Sequence, residues 1–133
     1  MEDNFLCFES DSFLFLYPLE RVGYILPSGQ VKEGWIEYDN TAVRAVSFRR
    51  IWSGCTQEQK EIHVIIGKSR EQLYGMIVSQ AVGVMAIPED SHRELPNEMR
   101  SEKNRFIVDV AYLKDLKRWA YVVDPDVLLE IEV

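Results

Sequence analysis

The apolar positions of this chain come in short bursts, each cut off by a few polar residues. NFLCFE (4–9) is separated from SFLFLY (12–17) only by Ser10-Asp11. Two apolar runs that close together predict a β-hairpin. ERVGYIL (20–26) predicts a third strand, ended by the turn signal Pro27-Ser28-Gly29. Segments 31–37 and 42–48 predict two more strands around the polar turn Tyr38-Asp39-Asn40-Thr41. Phe48 to Trp52 predicts a short helical turn, stopped by Ser53-Gly54.

TQEQKE (56–61) is polar and without periodicity, and is expected to connect two halves. The second half repeats the style of the first. IHVIIG (62–67) and QLYGMIV (72–78) flank Lys68-Ser69-Arg70-Glu71, a second hairpin, and AVGVMAI (81–87) follows almost at once. Residues 88–105 are charged and begin at Pro88, with Pro96 inside. A loop of that length is uncommon in a compact domain, and is typically functional or mobile. FIVDVAYL (106–113) and RWAYVV (118–123) complete the strands. Asp124 as N-cap and Pro125 at the first helical position predict a short C-terminal helix.

The pattern therefore predicts a mainly β chain of roughly ten short strands in two similar halves, arranged as barrels or sandwiches. No Gly-Ser linker separates the halves, so residues 1–133 are expected to form one domain. A chain of this length buries enough surface to fold without disulfide or metal. The 47% hydrophobic content fits a packed protein.

The formal net charge of −7 makes nucleic acid a poor partner, because phosphate binding is driven by Lys and Arg. Arg44, Arg49 and Arg50 are the densest basic cluster of the first half, and are expected to form a solvated face. Cys7 lies in an apolar run, where a buried thiol is expected. With Cys55 as its sole companion there is no disulfide framework. The start, Glu2-Asp3, lacks a basic leader, and no apolar run approaches a membrane span. These features predict a cytoplasmic protein without direct membrane insertion.

Candidate catalytic groups are few. His63 sits in a strand pattern, where an edge or satisfied core histidine is expected. His92, with Glu89, Asp90 and Glu94 nearby, reads as a chance solvated grouping. Asp124 and Asp126 fit the positive end of a helix dipole better than a catalytic pair. Asp109, between Val108 and Val110, is expected to face solvent from a strand. Gly67, Gly75 and Gly83 are isolated in or beside strands, which predicts bulges or close backbone contacts. No catalytic residue, metal site or cofactor is predicted. Trp35 and Tyr38 flank the polar turn, and exposed aromatics favour protein interfaces. A binding module is the expected class.

The order of motifs resembles the CheW-like domain of bacterial chemotaxis coupling proteins, over nearly the whole chain. FLCFESDSFLFLYPLERVGYIL matches the family's opening hairpin and strand. GWIEYDNTAVRAVSF stands where the family typically reads G-x-x-N-L-R-G-x-x-x-P-x-x-D-L. YGMIVSQAVGVMAI matches a strand pair of the L-G-x-x-V-D type, and FIVDVAYLKDLKRWAYVVDPDVLLE matches the closing strand, turn, strand and helix. The resemblance implies two five-stranded SH3-like barrels around a shared apolar seam, with a short C-terminal helix. It also implies a non-catalytic adaptor. One barrel would dock on the regulatory domain of a CheA-type histidine kinase. A groove between the barrels would take a chemoreceptor's cytoplasmic tip, and other CheW-like domains are further candidate partners.

The departures from the motif are specific. Gly34 is kept, but the asparagine, leucine, arginine and glycine positions are Glu37, Tyr38, Asp39 and Asn40. The proline position is Arg44 and the aspartate position is Ser47. In the second half Gly75 and Val78 match, while the usual aspartate is Ser79. Asn40 can still adopt the left-handed backbone of a tight turn. Asp39 reverses the charge of the family's arginine. The expected partner-binding residues are thus Gly34, Trp35, Tyr38, Asp39 and Arg44, with Val22 and Tyr24, which match positions facing the receptor groove.

Overall fold

The computed structural model describes residues 2–53 and 60–132. Its strands are β1 (Glu2–Ser10), β2 (Phe13–Pro18), β3 (Val22–Pro27), β4 (Trp35–Tyr38), β5 (Thr41–Ser47), β6 (His63–Ser69), β7 (Gln72–Val78), β8 (Gln80–Pro88), β9 (His92–Arg93), β10 (Ile107–Leu113) and β11 (Arg118–Val123). The helices are α1 (Phe48–Ser53) and α2 (Pro125–Glu132). The expected helical turn is α1. Its stop at Gly54, Cys55 and most of the TQEQKE stretch lie outside the described residues.

The two barrels are present, but they are not the two halves of the chain. One sheet runs β8-β1-β2-β11-β10-β9, and the other β3-β6-β7-β5-β4. The second, contiguous barrel (β3–β7) is inserted into the first, split barrel, which joins both chain ends. Hydrophobic patterning marks strands but not their partners, so the polar 56–61 stretch read as a boundary that the pairing does not respect. Parallel pairs β2–β11 and β5–β7 link the hairpins of each sheet. The split barrel carries a sixth, two-residue strand, β9.

Each sheet curls until its distant strands meet. In the split barrel, Phe5 of β1 reaches His92 of β9, with ring centroids 5.9 Å apart. In the contiguous barrel, the two edge strands meet through Tyr24 and Tyr38, stacked with centroids 6.3 Å apart.

Strand alternation sorts side chains into three cores. Phe5, Cys7, Leu14, Leu16, Ala111 and Ala120 fill the split barrel. Ile36, Val43, Ala45, Val64 and Ile66 fill the contiguous one. The opposite faces of the same strands form a shared seam. There Phe8, Phe15 and Tyr17 meet Ile65, Tyr74 and Met76, with Leu128 and Leu129 of α2 covering one end. β2 is therefore buried on both faces. Phe48 of α1 sits edge-on to Phe8, Phe15 and Phe106, at centroid distances of 4.9, 4.8 and 5.8 Å. Such aromatic pairs contribute about 0.5–1.5 kcal/mol each beyond their area.

α2 begins as its sequence predicts. Asp124 Oδ1 accepts the backbone N–H groups of Asp126 and Val127 at 3.0 and 3.4 Å, and Pro125 needs no partner at the first position. The charged 88–105 segment is folded against the body. Leu95 is buried in the seam, its carbonyl accepts Arg100 Nε at 3.0 Å, and short helical turns span 89–91 and 97–99.

Two sequence expectations are corrected here. Arg49 is not on a solvated face: it is buried, with Nε 3.4 Å from Asp11 Oδ1. His92 is not in a solvated acidic grouping. Strand β9 turns it inward, where Nδ1 lies 3.5 Å from Asp109 Oδ2 and its ring meets Phe5. Asp109 is thereby engaged as well. Loop sequence told neither which way β9 faced nor what lay across the barrel.

Candidate functional site

The predicted residues are built around the β4–β5 hairpin. Asp39 and Asn40 both have positive φ, 52° and 61°, the conformation of a type I′ turn. That turn matches strand twist, and Asn is among the few residues that enter it at low cost. At the other end of β4, Glu33 (φ 53°) and Gly34 (φ 85°) swing the chain into the strand. The Gly34 carbonyl then accepts Ala45 N–H at 2.8 Å. Gly34 is a backbone requirement and presents no side chain.

Alternation decides what this hairpin shows. Trp35 points outward and is 51% exposed, directly across from exposed Arg44. Ile36 points into the barrel, and Tyr38 packs against the same interior cluster. Trp35 and Tyr38, paired by the sequence as flanks of one turn, therefore lie on opposite faces. The partner of Tyr38 is Tyr24 of β3, whose ring is 59% exposed at the barrel's closing seam. Val22 lies on the far side of the bulge at Gly23, half-buried against the shared seam. The structure thus groups Trp35 with Arg44, and Tyr24 with Tyr38. Asp39 stands at the exposed tip, and Val22 and Gly34 act as support.

Arg44 also lines a cleft of about 260 Å³ between β5, β7, α1 and α2. Its walls include Val46, Ile51, Leu73, Tyr74, Leu128 and Leu129. A mostly apolar cleft with one cation at its rim suits an apolar protein segment whose register is fixed by an acidic group.

Two of the polar departures face inward. Ser47 Oγ donates to Glu61 Oε2 at 2.8 Å, and burial raises the Glu61 carboxyl above its usual range. An aspartate at 47 would set two carboxylates together. Ser79 Oγ accepts Asp11 N–H at 3.3 Å, and its carbonyl accepts Ile62 N–H at 3.2 Å. Ser47 and Ser79 therefore serve the fold, whereas Asp39 and Arg44 face outward.

A polar network ties α2 to both barrels. Asp126 accepts a hydrogen bond from Ser69 and an ion pair from Arg21 at 3.1 Å, which together hold its carboxyl below the usual range. Glu130 is held low by Arg70 and Arg105. Below them the Tyr17 and Tyr74 hydroxyls bond to each other across the seam, and burial pushes Tyr74 up to about 12. These groups are all partnered within the fold, which is an anchor and not a reaction centre. Among the described residues no group of three His, Cys, Asp or Glu could hold a metal. His63 Nδ1 accepts Ala81 N–H at 3.0 Å, as a satisfied strand histidine should. No described helix is long and apolar enough to cross a membrane.

Sequence reasoning missed a second aromatic surface. Phe13, Trp52, Tyr121, Leu95 and Met99 line a cleft of about 200 Å³ at the other end of the seam. Tyr112 and Trp119 form an exposed edge-to-face pair further along the same sheet. The signal was the outward parity of Trp119 and Tyr121, which only knowledge of strand order makes legible.

The CheW-like domain family matches residues 4–133 of the chain. The crystal structure of the scaffolding protein TtCheW from Thermoanaerobacter tengcongensis superposes with a TM-score of 0.78. The alignment has 18% sequence identity and covers 98% of this chain and 94% of that one. At that identity the likeness shows the fold. No curated protein is a significant match to the sequence.

Proposed function

The chain belongs to the CheW-like domain family, and on that footing we propose that it couples a CheA-type histidine kinase to chemoreceptors. The coarser statement follows from membership: this is a non-catalytic adaptor or scaffold of the chemotaxis type. The kinase's regulatory domain and the receptor's cytoplasmic tip are the proposed partners. The observation that carries the finer reading is the outward set Trp35, Tyr24, Asp39 and Arg44 on one barrel of that fold. Partly exposed aromatics supply the apolar contact, and Asp39 and Arg44 supply register.

The charge reversal at Asp39 shapes partner choice. If a receptor or kinase carboxylate meets an arginine in other members, it meets Asp39 here and is repelled. A partner fitted to this chain would offer a cation opposite Asp39 and an acidic group opposite Arg44. The same departures favour a second reading, a CheW-like scaffold that serves regulatory or motility proteins outside chemotaxis, or that self-associates.

Calorimetric titration against the regulatory domain of a CheA-type kinase from the same organism separates the two readings. Micromolar or tighter binding is expected. Asp39→Arg, which puts an arginine at a positive φ, should lower stability by about 1–2 kcal/mol while leaving the chain folded, and should strengthen binding to a standard receptor tip about tenfold, roughly 1.4 kcal/mol. Absence of kinase binding by the folded protein would reject the coupling role in favour of the second reading.

A further inference from the structure

The cleft between β5, β7, α1 and α2 is walled by Val46, Ile51, Leu73, Met76, Leu128 and Leu129. The polar residues that line it are Arg44, Gln72 and Tyr74. The Tyr74 hydroxyl is already bonded to that of Tyr17, so its ring serves as wall. Gln72 is exposed, and its side-chain amide has no hydrogen bond among the described residues. Arg44 is the one charged residue of the lining, and among the described residues it is in no ion pair. The acidic groups around it are engaged or set apart. Asp126 is held by Arg21 and Ser69, and Glu130 by Arg70 and Arg105. Glu37 stands opposite Ala42, two pairs along the hairpin from Arg44, and Glu71 lies in the exposed turn before Gln72. On a chain of net charge −7, an uncommitted guanidinium at the mouth of an apolar cleft is a local reversal of sign.

We propose that this cleft binds a small apolar carboxylate, with its hydrocarbon part between Ile51 and the leucines of α2 and its carboxylate on Arg44. The planar guanidinium fork matches the two oxygens of a carboxylate. The Gln72 amide adds a further donor. An amine would be repelled, and a neutral alcohol would leave the guanidinium without a countercharge. Size narrows the class. The cleft, about 260 Å³, is larger than an apolar cavity of about 150 Å³ that takes benzene, so it accommodates one ring with a short chain. An α-helix, about 10 Å across with its side chains, is too thick to enter, and a partner protein could present only side chains to it. Trp35, directly across from Arg44 and half exposed, places an indole beside the guanidinium at the mouth. The site requires neither kinase nor receptor, and so goes beyond the coupling role.

Calorimetric titration of the full chain with phenylbutyrate, a ring and a carboxylate joined by a short chain, tests this without any partner protein. One-to-one binding with a dissociation constant below ~1 mM is expected. Phenylbutanol, neutral and of similar shape, should bind at least ~10-fold more weakly. Arg44→Gln should weaken phenylbutyrate at least ~10-fold and leave phenylbutanol as it was. That site is exposed, so the variant should keep its melting temperature. Val46→Phe, which fills the cleft, should weaken both ligands, with its folding checked by circular dichroism. Absence of binding by the folded chain overturns the proposal. Equal affinity for phenylbutanol rejects the carboxylate class. Binding that ignores both Arg44→Gln and Val46→Phe overturns it too, since the anion is then adventitious. If phenylbutyrate is not bound but Arg44→Gln weakens the kinase regulatory domain, the cleft receives a partner's side chains instead, and the proposal is equally rejected. Failure of kinase binding by the unaltered chain leaves this test untouched, which keeps it separate from that of the coupling role.

Discussion

The two barrels solve the same closure problem with different side chains. The contiguous barrel joins its edges by stacking Tyr24 on Tyr38, with Tyr24 largely in solvent. The split barrel reaches across with Phe5 and His92, which are buried and half-buried. The first closure therefore doubles as surface and the second is internal. The split barrel holds the small residues Cys7, Ala111 and Ala120 beside Phe5, Leu14 and Leu16. The buried residues of the contiguous barrel are branched apart from Ala45, with Tyr38 packed against them. Both barrels give large side chains to the shared seam, and they differ in what fills their own interiors: small residues beside large ones in the split barrel, mostly branched aliphatic residues in the contiguous one.

The strongest way to break this comparison is to attack what the barrels share. Phe15 touches Phe8, Phe48, Trp52 and Tyr121, and so joins β1, α1 and β11 at the seam. Phe15→Ala should cost about 3–5 kcal/mol. Both barrels should lose stability together, in a single transition by tryptophan fluorescence and far-UV circular dichroism. Two separated transitions would mean that the barrels are independent.

A smaller effect is expected at Gly67, where β6 of the contiguous barrel passes under Tyr17 of the split one. A Cβ there would collide with the Tyr17 hydroxyl and lie 3.0 Å from the Tyr74 ring. Gly67→Ala should cost about 1–3 kcal/mol by overpacking. Tyr17→Phe alone should cost about 1–3 kcal/mol, because it leaves the buried Tyr74 hydroxyl without its partner. Combined, the two should cost less than their sum, since the ring lacking a hydroxyl makes room. Strict additivity in denaturant melts would contradict the close approach.

The smallest effects concern pH. The Asp126 carboxyl is lowered below its ordinary 3.8 by Ser69 and then Arg21. Its contribution is thus present above that value and is lost as pH falls through the lower folded one. Asp126→Asn should flatten the acid limb of stability and loosen α2 first. At the other end, burial lifts the Cys7 thiol from 9.0 to about 11 and Tyr74 from 10.0 to about 12. These groups stabilise the fold below their ordinary values, and the stability is lost as pH climbs through the raised ones. Cys7→Val should remove the earlier part of that alkaline loss, and an unchanged profile would mean that the split barrel's interior is open to water.

Much of this was legible in the residues. Ten of the eleven strands, the type I′ geometry at Asn40, and the capped start of α2 follow from local chemistry: alternation, turn residues and a carboxylate at a helix start. The outward places of Trp35 and Arg44 follow from strand parity once β4 is set. What local chemistry does not contain is pairing. It could not tell that β2 lies beside β11, that Tyr24 meets Tyr38, or that Arg49 is drawn inward to Asp11. It also could not tell Ser47 and Ser79, which answer Glu61 and Asp11, from Asp39 and Arg44, whose side chains face outward.

The sequence by itself determined the elements and, through the order of its motifs, the family. Each was written in spacings of a few residues, where steric and hydrogen-bonding preferences act directly. The tertiary structure alone decided that the halves interleave and that one barrel is inserted in the other. Those outcomes depend on which distant strands bury the most apolar surface together, a choice made over the whole chain that no short stretch of it records.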